Sequence, residues 1–228
     1  MNVTKSLRLL LLLVFCACLL CACSPVRKLK VNDNDTYTDR KTGVTYYPLS
    51  ACYEPASLGK EYASFTLSGM TTVLHELGEQ APELFLASAY NGVYANEATI
   101  VPTLEEMDLS RVLIYAKTAS TIPVHTLKAT NSDDAALINA LREAYLNGTR
   151  VSYPSFYTQK AAYTLHFEGS SLIDIHYCIS YIEYSEDIYD EIDGQECNLG
   201  RYFLYDRYNK ICVAVDATLH NALTSQAQ

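Results

Sequence analysis

Residues 163–181 read YTLHFEGSSLIDIHYCISY. On either side of Glu168-Gly169-Ser170-Ser171 apolar residues recur at every second position, and successive side chains of a strand point to opposite faces. Tyr163, Leu165, Phe167, Ile173, Ile175, Tyr177 and Ile179 therefore share one face of a hairpin. Facing partners must lie on the same side of the sheet, which places Phe167 opposite Ile173, His166 opposite Asp174 and Thr164 opposite His176. The second face carries Thr164, His166, Asp174, His176 and Cys178, and one polar, solvated face is normal for an antiparallel sheet.

Upstream of this hairpin, Ser132-Asp133-Asp134 caps a helical pattern in which Leu137, Ile138, Leu141, Ala144 and Tyr145 recur at helical spacing, closed by Asn147-Gly148. Acids in its first turn suit the helix dipole. Strands are expected at 111–117 and 124–130, and a last hairpin joins 202–205 to 211–215, followed by a short helix capped by Asp216. Towards the N-terminus, 62–67 and 71–77 read as strands, the second stopped at Gly78. Asn91-Gly92 supplies positive φ for a tight turn between 84–90 and 93–99, although Pro82 to Leu86 also suits the start of a short helix. Thr103-Leu104-Glu105-Glu106 has the form of a capping box. The expected fold is α+β: a mainly antiparallel sheet with one long helix packed on it and one or two short helices. A β-rich subdomain over 43–108 precedes an α+β subdomain over 109–222 and a tail from 223.

The first 22 residues are of another kind. Lys5 and Arg8 precede an unbroken apolar run from Leu9 to Ala22, which has the layout of a secretory signal and falls short of the ~20 residues that span a bilayer. Leu20-Cys21-Ala22-Cys23 resembles the lipobox of bacterial lipoproteins. That resemblance implies cleavage before Cys23, a diacylglycerol thioether on its sulfur, and an anchored chain on the extracytoplasmic face of the cell membrane. Residues 24–41 then read as a polar tether. The Tyr-rich remainder, with Cys52-Tyr53-Glu54-Pro55 and Tyr202-Phe203-Leu204-Tyr205-Asp206-Arg207, looks like small envelope lipoproteins of Gram-positive anaerobes, a likeness that implies an address and no activity.

Charge narrows the partners. The chain carries 17 Lys+Arg against 26 Asp+Glu, and loss of 1–22 removes two bases and no acid, moving the formal charge from −9 to −11. Nucleic acid binding needs a basic face, and no basic cluster follows Lys41. The bases that do cluster, Arg27, Lys28 and Lys30, stand where anionic head groups would lie. Four cysteines remain after the leader and Cys23, namely Cys52, Cys178, Cys197 and Cys212. Without a C-x-x-C pair they allow three pairings, or simple burial as small core residues.

Two groupings suggest a cation. His166, Asp174 and His176, brought together by the register above, are acceptable Zn²⁺ ligands. Glu183 to Glu196 holds seven acids without a base, among them Glu186, Asp187, Asp190, Glu191 and Asp193, and hard Ca²⁺ wants oxygen ligands at that density. Each has a bland counterpart, a solvated sheet face and a solvated acidic loop. His75-Glu76-Leu77-Gly78-Glu79 begins like a zinc-protease helix but has Glu79 where the second His must stand. Nucleophile elbows, phosphate loops and dinucleotide fingerprints are missing from the sequence. The expected function is binding of an envelope protein or glycan by an anchored module, with a metal-dependent hydrolase on His166, Asp174 and His176 as the alternative.

Overall fold

The computed structural model describes residues 26–89, 92–116, 122–192 and 194–226. The leader, Cys23, Asn91 and Asp193 lie outside them. Seven strands close into a barrel in the order β1 (Arg27–Val31), β2 (Tyr37–Asp39), β3 (Thr45–Leu49), β8 (Gly92–Asn96), β7 (Phe85–Ser88), β6 (Met70–Leu77) and β5 (Leu58–Leu67). A single parallel pairing shuts it, Arg27 opposite Ala63 and Lys28 opposite Ser64. Its interior is aromatic: Tyr37 stacks on Phe65 at 3.9 Å, and Tyr94 meets both edge-on.

The expected tether is therefore corrected, because β1 and β2 lie within it. Several of its polar residues bond one another locally, while Asp33, Asn34 and Asp35 remain exposed. The Asn32 Nδ2 donates to Thr36 and Thr38, each at 2.9 Å, Asp35 takes a left-handed turn at φ 57°, and Arg27 bonds the buried Asp39 at 2.9 Å. Short polar side chains that bond nearby partners build turns as readily as they build coil.

A second sheet runs in the order β10 (His125–Lys128), β9 (Leu109–Ala116), β11 (Gln159–Gly169), β12 (Ile175–Ile192), β13 (Gln195–Asp206) and β14 (Ile211–Val215). The two-residue strand β4 (Cys52–Tyr53), reached from the barrel, pairs with the start of β12. On one face pack α1 (Ser132–Asn147) and α2 (Ala217–Gln226). Leu137, Ile138, Leu141 and Tyr145 of α1 meet Val112, Ile114, Leu165, Phe167, Ile179 and Tyr181 in one core, and each fully buried side chain of this size stabilises by about 1.5–3 kcal/mol. Tyr145, Tyr177 and Asn209 all donate to the buried Asp206 Oδ2, at 2.9, 2.7 and 2.7 Å, which fastens α1 to the sheet. The helix starts one residue earlier than expected, with Asn131 Oδ1 accepting from the backbone N–H of Asp133 and Asp134. The Thr103 and Glu106 bonds close as a capping box does, but on a turn rather than a helix.

The α+β expectation is overturned. Among the described residues the protein is mostly β, with more than half of them in strands, a seven-stranded barrel and two α-helices of 16 and 10 residues. The pattern for α1 was sound; the excess strand comes from segments read as tether or loop. Among these is the acidic stretch, where β12 and β13 continue as a ribbon to the turn at Gly194 (φ 77°), pairing Asp190 with Cys197 and Glu191 with Glu196. The expected subdomains also shift: the barrel draws on residues from Arg27 to Asn96, and β4 within that range belongs to the second sheet.

Candidate functional site

The hairpin of 163–181 forms, in another register. β11 runs on to Gly169, held opposite Leu109 of β9, and the turn spans 170–174 with Asp174 at φ 69°. Phe167 thus faces Tyr177, Glu168 faces His176 and His166 faces Cys178. Each partner lies four residues beyond its expected place. An even displacement preserves the parity of the faces, so Tyr163, Leu165, Phe167, Ile175, Tyr177 and Ile179 remain together while Ile173 is exposed.

On the face away from the helices, two rows of the sheet build a connected polar group. Pairing brings Arg111, Glu168, His176 and Cys52 side by side across β9, β11, β12 and β4, and the next row holds Leu113, His166 and Cys178. Arg111 donates from Nε and Nη2 to the two Glu168 oxygens at 2.9 and 2.7 Å, and Glu54 lies 3.5 Å from Nη2. His176 Nε2 is 2.8 Å from Glu168 Oε2, the two imidazole Nδ1 atoms are 3.2 Å apart, and His166 Nε2 stands 3.6 Å from Cys52 Sγ. Cys52 and Cys178 are joined as a disulfide with Cα atoms 6.2 Å apart, within the range such a bond spans. Cys197 and Cys212 are free thiols, and burial pushes the Cys212 thiol up to about 12.

This face is not the solvated one expected: His176 is 0% exposed, Glu168 5% and Cys178 9%. Burial on its own would raise the Glu168 pKa, but hydrogen bonds from His176 and Arg111 outweigh it and hold the carboxyl at about 2. Burial, with the neighbouring His176, lowers the His166 pKa to about 3. The proton order follows. A carboxylate only accepts, so His176 donates to Glu168 through Nε2. One proton serves the Nδ1–Nδ1 contact between the two imidazoles, and His166 Nε2 faces the Cys52 sulfur. Comparison with protein-family models, with curated proteins and with solved structures finds no match.

Of the expected ligands, His166 and His176 meet, and Asp174 does not join them. Its Oδ1 accepts from Ser57 Oγ at 2.6 Å, beside the end of β6. There Gly78 holds φ 53° and a Cβ would run into the Asp174 carboxylate. Gly78→Ala is expected to destabilise the fold by about 2 kcal/mol, whereas Gly43→Ala, with similar φ and open space, loses less; thermal denaturation of the two variants checks this. Among its described residues the acidic ribbon builds no cage either. Asp187 is engaged by Arg201 at 2.8 Å and Asn198 at 3.3 Å, Asp190 Oδ1 bonds the backbone of Glu191, and Glu186 is exposed. Among the described residues the grouping suited to a metal is Cys52, His166 and Cys178, whose ligand atoms all lie within 4.8 Å of one another. Sequence reading missed Cys52, Arg111 and Glu168. Only their cross-strand pairing joins them, and Cys52 sits 126 residues from its partner.

Proposed function

We propose that the chain is a lipid-anchored protein of the cell envelope that acts by binding rather than by turnover, tethered at Cys23 with its barrel laid on the membrane. The observation that carries this reading is a concentration of base on an acidic chain. Lys28, Lys30 and Arg40 line one groove of about 500 Å³ with Ser64, Thr66 and Thr71, and the two lysines stand on a strand beginning four residues after Cys23. Each such charge contributes about 1 kcal/mol beside anionic lipid, and the acyl chains add about 0.8 kcal/mol per buried methylene. The rest of the molecule, net acidic, faces outward to an envelope protein or glycan. A hydrolase on His166, Asp174 and His176 loses support from the place of Asp174 beside Ser57.

Two measurements test the reading. In a bacterial host the full chain should incorporate labelled palmitate, and Cys23→Ala should not; absence of label from the wild type refutes the anchor. In anionic vesicles, Lys28 and Lys30 of the anchored protein should react more slowly with a soluble amine reagent than in zwitterionic ones. Equal rates would remove the barrel from the membrane surface.

A further inference from the structure

We propose that Cys52, His166 and Cys178 form a redox-gated binding site for a soft divalent metal, Zn²⁺ being the type, which opens when the disulfide is reduced. Two thiolates and one imidazole are a favoured Zn²⁺ donor set, and three protein ligands leave the fourth tetrahedral position to water. The dimensions agree. With Zn–S near 2.3 Å and Zn–N near 2.0–2.1 Å, a tetrahedral site needs an S···N edge of about 3.6 Å and an S···S edge of about 3.8 Å. The first already exists between Cys52 Sγ and His166 Nε2, at 3.6 Å. The second requires only that the sulfurs part once their bond is broken, on Cα atoms 6.2 Å apart.

What lies behind the histidine distinguishes this group from a disulfide that merely has a histidine beside it. A metal-binding imidazole is normally oriented by a partner on its other nitrogen. Here His166 Nδ1 meets His176 Nδ1, and His176 Nε2 is fixed by Glu168, itself gripped by both arms of Arg111. That chain leaves Nε2 turned to the Cys52 sulfur. His176 is thus a positioning residue, and a structural disulfide has no need of it.

The steps balance. An external dithiol delivers two electrons and two protons to the Cys52–Cys178 bond, leaving as its own disulfide and giving two thiols. Metal uptake then displaces both thiol protons. The oxidised chain has no thiolate at this place and binds no metal there.

The test uses the full chain in detergent micelles under anaerobic conditions, reduced by a dithiol with and without Zn²⁺ and then freed of reductant. About one Zn²⁺ per chain is expected after reduction and none at this site before it, with Cys52 and Cys178 shielded from alkylation. Co²⁺ in place of Zn²⁺ should show a thiolate-to-metal charge-transfer band. Cys197→Ser/Cys212→Ser should bind as the wild type does, Cys178→Ser should lose the band, and His176→Phe should weaken binding roughly 10–100-fold while keeping native circular dichroism. If the reduced chain unfolds, Zn²⁺ should restore its native spectrum, and should not do so for His166→Ala. A folded reduced chain that takes up no metal, a reduced chain that Zn²⁺ fails to restore, or binding unchanged in His166→Ala would overturn the proposal.

Discussion

Alanine at both Cys52 and Cys178 is expected to lower the unfolding free energy by about 4–5 kcal/mol. The bond closes a loop with a sequence separation of 126, and in the chain-entropy model the stabilisation grows with loop length, reaching about 5 kcal/mol for loops of this size. It also ties β4, a strand of two residues, to the start of β12, where only two residue pairs hold the ladder. Urea denaturation of oxidised wild type, reduced wild type and the double variant, all with chelator present, measures the effect. The last two should coincide. A loss below about 1 kcal/mol would mean that the cross-link contributes little beyond the pairing already made by β4.

Glu168→Ala is expected to cost about 3–5 kcal/mol, the range for breaking a buried ion pair from one side. The change removes the acceptor of both Arg111 bonds and orphans His176 Nε2 at a position with no solvent access. Glu54, 3.5 Å from Arg111, offers only partial replacement. The pH dependence has a definite sign. A carboxyl held at about 2 when folded, against an ordinary value of 4.5, contributes stability that is complete above pH 4.5 and is lost as pH falls through about 2. His166, held neutral down to about 3, adds to the same acid lability, since the unfolded chain takes up that proton first, near pH 6.5. Wild-type stability should therefore fall between pH 6.5 and 2, with Arg111 and Glu54 the charged neighbours of the group. In Glu168→Ala the part of the fall below pH 4.5 should flatten. Denaturant midpoints at pH 7, 5 and 3 decide this, and a variant with the wild-type slope below pH 4.5 would show that Glu168 is not the acid-sensitive group.

Individual elements were legible wherever their signal is local. Alternation over 163–181 named the face that packs on the helices, the 3.6-residue spacing of Leu137, Ile138, Leu141 and Tyr145 named α1, and Gly78 marked the end of β6. The polar run from Asn32 to Thr36 misled because the same residues that suit coil also close a hairpin when their side chains can bond each other. The acids from Glu183 to Glu196 misled in a similar way. A carboxylate on an edge ribbon stays hydrated or meets a partner such as Arg201, so high charge density does not exclude a strand.

The candidate site lay further out of reach. His166 and His176 stood out as a pair of histidines on one face of a hairpin, and parity alone put them on the same side. Whether they touched depended on register, which was settled by the Gly169–Leu109 pairing with a strand more than 50 residues upstream. Cys52 came from the barrel half of the chain through a two-residue strand too short to leave a periodic pattern. What the sequence by itself determined was side: which residues of each strand and helix face inward, because that depends on backbone geometry repeating every two or 3.6 residues. What only the tertiary structure decided was neighbourhood: the closing of seven strands into a barrel, and the row that places Arg111, Glu168, His176 and Cys52 in line beside His166 and Cys178. Those contacts depend on hydrogen-bond pairing between segments far apart in the chain, and no local spacing encodes it.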